Sequence, residues 1–212
     1  MIAIINLDLG NLPSVARAIE HVGADAVITD NAQLIAKADK LILPGVGSFK
    51  AGMDALNKKK LTTLIQECAA SGVPVLGICL GMQLLMSQSE EHGSWSGLGL
   101  IPGRVVYLKN MTGFNKQLKV PHINWCGIRK TFDKRTWDAT ILRGSDEYDE
   151  LYFVHSLCVN PDDKSHTLAV SQYGGCEFAS VILSGNVMGC QFHPEKSGKS
   201  GLEIIKNFVS NS

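Results

Sequence analysis

The chain has 212 residues, 45% of them apolar and 19% charged, with 20 basic and 20 acidic side chains in balance. That length fits one domain, residues 1–212, with a sizeable core, and a neutral balance gives no electrostatic footprint for nucleic acid or an anionic membrane. The opening segment lacks a basic region followed by an apolar run, and no apolar stretch approaches a membrane span, so a cytoplasmic protein is expected.

Residues 1–6 read as a buried strand, followed by a turn at Asp8–Asn11 and a helix from Pro13 to Val22 that stops at Gly23. A second strand at Ala26–Ile28, a short helical piece at Ala32–Ala38 and a third strand at Lys40–Leu43, halted by Pro44-Gly45-Val46-Gly47, continue the alternation. A helix from Lys50 to Ser71, interrupted near Asn57, leads to Val75-Leu76-Gly77-Ile78, a run suited to a strand covered on both faces. Met82–Met86 has helical character, so Cys79 falls in a tight strand-to-helix turn. Beyond Gly97 the runs shorten, at Arg104–Leu108, Leu151–Val154 and Phe178–Leu183, as in antiparallel strands added to a sheet. Thr131–Glu150 is polar enough for a surface loop, Asn186–Phe192 is one more strand, and Gly201–Ser210 a closing helix. The expected fold is α/β, a mostly parallel central sheet flanked by helices with added antiparallel strands, of flavodoxin-like type.

Six cysteines lack C-x-x-C spacing or a matching histidine pair, which argues for reduced thiols and against a disulfide framework or a metal site. Cys79 is set apart by Gly77-Ile78-Cys79-Leu80-Gly81, the cysteine version of the G-x-S-x-G elbow. Glycines two positions away on either side allow a sharp turn that exposes the sulfur over the following helix, whose dipole favours thiolate. His193 ends another buried strand and is fixed by Pro194, and strand ends on one edge of a parallel sheet converge. Glu195 lies two residues on, where a carboxylate orients the imidazole and stabilises its protonated form. Gly45 and Gly47, together with the Leu80 N–H, offer donors for an oxyanion, and the two glycines permit a peptide flip.

With the elbow and His193-Pro194-Glu195 in hand, the chain resembles the triad, or class I, glutamine amidotransferases. It is similar over its whole length to the glutaminase subunits of imidazole glycerol phosphate synthase, through Gly10-Asn11-Leu12, Leu43–Gly47, Ser89-Glu90-Glu91, Gly97–Gly103, Val120-Pro121-His122, Tyr152–Ser156 and Phe192–Ser197. The resemblance implies hydrolysis of glutamine through a γ-glutamyl thioester on Cys79, with no cofactor. It also implies ammonia delivery to a (β/α)8-barrel cyclase partner in a heterodimer, which makes imidazole glycerol phosphate and AICAR from PRFAR in histidine biosynthesis. By the same resemblance Gln83, Glu91 and the backbone near His155 and Ser156 hold glutamine, Glu91 through its α-ammonium. Asn11, Arg17, Trp125 and Lys196 then fall near the cyclase.

The chain departs from the family's pattern at Asn124, Cys126, Leu157, Cys158 and Pro13. These positions leave open a paralogous subunit serving sugar amidation in surface-polysaccharide synthesis. A free-standing γ-glutamyl hydrolase and a non-catalytic binding module are the remaining alternatives.

Overall fold

The computed structural model describes residues 1–131 and 136–210. Fourteen strands occur among them: β1 (Ile2–Ile5), β2 (Ala26–Thr29), β3 (Lys40–Gly45), β4 (Val75–Cys79), β5 (Met86–Ser89), β6 (Trp95–Ser96), β7 (Ile101–Tyr107), β8 (His122–Gly127), β9 (Arg129–Lys130), β10 (Glu150–His155), β11 (Leu157–Pro161), β12 (Thr167–Tyr173), β13 (Cys176–Ser184) and β14 (Val187–Cys190). The α-helices are α1 (Leu12–His21), α2 (Ala32–Ala36), α3 (Phe49–Lys58), α4 (Thr62–Ala70), α5 (Leu80–Leu84) and α6 (Gly198–Ser210).

Eight strands form the main sheet in the order β2-β1-β3-β4-β14-β13-β12-β9. The pairs from β2 to β14 are parallel and those from β14 onward antiparallel. The expected α/β fold with added antiparallel strands is therefore observed. Strand alternation divides the core by face. Ile2, Ile4, Ile42, Leu76 and Ile78 pack under α1 and α6. Ala3, Ile5, Leu41, Leu43 and Val75 pack under α2, α3 and α4. Helices on both faces explain why the parallel strands are apolar at nearly every position.

α1 is amphipathic, burying Leu12, Val15, Ala18 and Ile19, and starts where the Asn11 side chain accepts from the Ser14 N–H. The interruption expected near Asn57 falls just beyond it, where Lys60 adopts φ 57° between α3 and α4. The helical reading of Met82–Met86 overruns: α5 ends at Leu84 and Met86 begins β5, which pairs with β7 and β6. β11 joins β7, and β8 pairs with β10 in a separate two-stranded ribbon. In the segment read as a surface loop, Trp137, Ile141 and Leu142 are buried, and the Trp137 indole donates to the Leu168 carbonyl at 3.1 Å; its residues 132–135 lie outside the described residues. No helix among the described residues is long and apolar enough to cross a membrane.

Candidate active site

Parallel register brings three strand ends level: Gly45 of β3 pairs with Cys79 of β4, and Cys190 of β14 pairs with Ile78. The chain therefore enters Gln191, Phe192 and His193 beside the Cys79 turn, at the carboxyl edge of the sheet. Cys79 has φ 54° and ψ −108°, a conformation that L-residues rarely adopt and that costs about 1–3 kcal/mol. The flanking glycines hold it there by allowing close approach. A Cβ on Gly81 would lie 1.6 Å from the Leu43 carbonyl oxygen, and one on Gly77 would lie 2.6 Å from the Met82 nitrogen. Because α5 has only five residues, this forced turn, more than a helix dipole, sets the sulfur.

His193 Nδ1 and Glu195 Oε1 are 2.8 Å apart, with side chains 5% and 3% exposed. The backbone fixes this pair: the His193 N–H donates to the Tyr152 carbonyl at 2.9 Å, and the Ser197 hydroxyl donates to the His193 carbonyl at 2.7 Å while accepting from the Tyr152 N–H at 3.0 Å. Burial pulls the imidazole pKa down, but hydrogen bonding and charge from Cys79 and Glu195 outweigh it and raise it to about 9. Nε2 of His193 is buried without a conventional hydrogen-bond partner among the described residues, leaving it as the atom that shares a proton with Cys79.

A cleft of about 240 Å³ opens on the sulfur, lined by Val46, Gly47, Cys79, Leu80, Gln83, Glu91, Pro121, Val154, His155, Ser156 and Leu157. Of the expected glutamine-binding residues, Gly47, Leu80, Gln83, Glu91, His155 and Ser156 line it with Cys79. Gly45 is buried, a Cβ there would sit 3.2 Å from the Leu80 side chain, and Val46 stands in the wall. Gly47 has φ 105° and no atom within 4 Å of an added Cβ. Glu91 has a second task, accepting from the Phe49 N–H at the start of α3.

Sequence reasoning missed two groups. Gln191 is fully buried, with Oε1 3.1 Å from Gln83 Nε2 and Nε2 3.8 Å from Cys79 Sγ. No local spacing marks it, because its partners, Gln83 and Cys79, lie more than 100 positions earlier. The second is the buried pair His122 and His155, with Nδ1 of the first 3.1 Å from Nε2 of the second, and His155 Nδ1 2.8 Å from the Leu157 carbonyl. That carbonyl can only accept, so His155 carries its proton on Nδ1 and accepts at Nε2 from His122.

Burial lowers the pKa of His122 to about 4 and that of His155 to about 3. Below pH 6.5 the unfolded chain binds protons that these folded rings refuse, so folding stability falls as pH drops from 6.5 toward 4. His193 has the opposite sign: its contribution is complete below pH 6.5 and is lost as pH rises through about 9. Urea midpoints should therefore peak near neutrality and fall by the equivalent of a few kcal/mol at pH 4.5, about 1.4 kcal/mol per pKa unit and histidine being the ceiling. An unchanged midpoint at pH 4.5 would show that the pair is not held neutral.

Asn11, Arg17, Trp125 and Lys196, the residues expected near the cyclase, lie near one another. Trp125 is 45% exposed on β8, beside Ile123 at 57%. Its ring centroid is 5.9 Å from that of Tyr152, and the Lys196 ammonium stands 5.9 Å from the same tyrosine ring. α1, which carries exposed Arg17 and is capped by exposed Asn11, packs beside the 194–196 turn.

Comparison with known proteins agrees with this geometry. Residues 3–212 match the family model described as glutamine amidotransferase class-I. The chain is 43% identical to imidazole glycerol phosphate synthase subunit HisH 1 of Legionella pneumophila (strain Lens), over 98% of both chains. It is 46% identical to subunit HisH of Syntrophotalea carbinolica, again over 98% of both. Among solved structures, PurLQS from Thermotoga maritima covers 98% of this chain, and 96% of that chain is matched, with a TM-score of 0.71 at 18% identity, a likeness of fold alone. With the elbow, the histidine–glutamate pair and these matches together, the chain belongs to the class-I glutamine amidotransferase family.

Proposed function

We propose that residues 1–212 form one glutamine amidotransferase domain that hydrolyses glutamine to glutamate and ammonia. The observation that carries this is the buried His193–Glu195 pair, 2.8 Å apart, behind a strained cysteine that opens on a cleft. Cys79 Sγ attacks the side-chain amide carbon with its proton already held by His193, whose pKa of about 9 keeps the ring protonated near neutrality. The oxyanion draws on the Leu80 N–H and on the Gly45–Gly47 loop, where Val46 and Gly47 reach the cleft. The tetrahedral adduct expels ammonia with the proton returned by His193, leaving a γ-glutamyl thioester. Water, deprotonated by His193, cleaves it to glutamate and frees the thiol. Glu195 holds the imidazole through Nδ1 and offsets its charge. Gln83, Glu91 and the 155–156 backbone hold the amino-acid end.

The relatives' name, imidazole glycerol phosphate synthase subunit, supports a heteromeric enzyme of histidine biosynthesis. We assign the ammonia to a (β/α)8-barrel cyclase, docked over Asn11, Arg17, Trp125 and Lys196, in the cytoplasm. Exposed Ile123 and Trp125 side by side suit a surface covered by another subunit. Glutamine turnover should be slow for the isolated chain and rise at least tenfold when the barrel protein that co-purifies from the source cell is restored. Vigorous turnover in isolation, with no response to the partner, would favour a free-standing hydrolase.

A further inference from the structure

The Leu157 carbonyl fixes the orientation of a buried polar network. It accepts from His155 Nδ1 at 2.8 Å and lies 3.4 Å from Gln83 Nε2. Since a carbonyl cannot donate, the group that Gln83 turns toward it must be its NH2. That NH2 is also 3.1 Å from the amide of Gln191, which must then meet it with oxygen. The other end of the Gln191 amide, its NH2, is thereby left facing Cys79 Sγ at 3.8 Å, a long N–H···S contact.

The two ends of one side chain thus serve different atoms of the site. Gln191 is 0% exposed, its own N–H is held by the Ser180 carbonyl at 2.9 Å, and it cannot rotate out to solvent. Gln83, with its NH2 engaged twice, has only its carbonyl oxygen to offer a ligand in the cleft it lines. An acceptor there suits an ammonium or amide N–H and repels a carboxylate oxygen.

We propose that Gln191 is a positioning residue of this active site, donating to the Cys79 sulfur at one end and locking Gln83 as a hydrogen-bond acceptor for the substrate at the other. A donor to sulfur stabilises its anion, so Gln191 promotes nucleophilicity; by immobilising Gln83 it lowers the KM for glutamine. The second half rests on the glutaminase reading above, the first does not.

Two variants separate the ends. Gln191→Glu keeps an oxygen for Gln83 but removes the NH2 from the sulfur, and Gln191→Met keeps the length and removes both. Each full-length variant is assayed for glutamine turnover with its co-purifying partner present, and for the rate at which iodoacetamide alkylates Cys79, read at that peptide by mass spectrometry. Gln191→Glu should leave KM within about twofold while slowing alkylation at least several-fold. Gln191→Met should slow alkylation and also raise KM about three- to tenfold, the loss expected for one neutral hydrogen bond. Circular dichroism confirms that both remain folded.

A purely structural role would lower the melting temperature of both variants and move both readouts together, without the split. Folded variants that alkylate at the wild-type rate would overturn the sulfur contact. A KM unchanged in Gln191→Met would overturn the lock on Gln83. A wild-type protein that alkylates at Cys79 yet never hydrolyses glutamine would overturn the glutaminase reading and the lock with it, while the alkylation comparison would still decide the sulfur contact.

Discussion

Cys79→Ala should abolish glutamine-dependent product formation, by about 10⁴-fold or more, while ammonia added directly still supports the partner's reaction at close to the wild-type rate. The fold should tolerate the change. Besides facing His193, which keeps Glu195 at 2.8 Å, the sulfur makes two long contacts, 3.8 Å to the Val154 carbonyl and 3.8 Å from Gln191 Nε2, so removing it leaves a small void. Alanine accepts a φ of 54° no better than cysteine does, so the turn is neither relieved nor newly strained. Without the sulfur no thioester can form, whatever the state of the His193–Glu195 pair. The measurement is product formation by the complex with glutamine or with an ammonium salt. Loss of the ammonia-dependent reaction as well would mean that Cys79 serves the partner's chemistry or the interface, and the division of labour would fail.

Much of this site was legible because the chemistry is written in short-range patterns. Gly77-Ile78-Cys79-Leu80-Gly81 specifies its turn through which side chains are missing, and the structure gives the reason in the contacts that a Cβ would meet. His193-Pro194-Glu195 carries its geometry within three residues, so the 2.8 Å contact needs little from the rest of the chain beyond the strand that delivers it. Gln191 was not legible, because its role depends on the Leu157 carbonyl 34 positions earlier and on the amide of Gln83, and no local spacing records such a meeting. The same applies to His122 and His155, which pair only because β8 and β10 align in antiparallel register. Gly45 and Gly47 look equivalent in the sequence, yet only Gly47 lines the cleft, while a Cβ on Gly45 would meet the Leu80 side chain.

In the fold, the parallel half was readable from continuous apolar runs, as expected of strands covered on both faces. β5 and β6 were not, since Met86-Ser87-Gln88-Ser89 and Trp95-Ser96 have little strand character of their own, β5 being held by β7 and β6 by β5. The buried Trp137 and Ile141 were hidden in a polar stretch whose mean composition outweighed its few apolar anchors.

Gly81→Ala should be the most destabilising single change among the site's glycines. An added Cβ would stand 1.6 Å from the Leu43 carbonyl oxygen, far inside contact distance, and both partners are backbone: β3 on one side and the first turn of α5 on the other. Relief requires the elbow to move away from β3, which also displaces Leu43 from the apolar layer it shares with Phe49 and Leu80. A loss above about 4 kcal/mol, or failure to fold, is the expected range when a buried backbone contact is forced apart. Gly47→Ala provides the contrast. Its Cβ would meet nothing within 4 Å, and its φ of 105° is the sole obstacle, so about 1–3 kcal/mol is expected. Urea unfolding of the two variants beside the native chain tests the difference. If Gly81→Ala proved as mild as Gly47→Ala, the elbow would have slack that this packing does not allow, and close approach would no longer explain why Cys79 sits between two glycines.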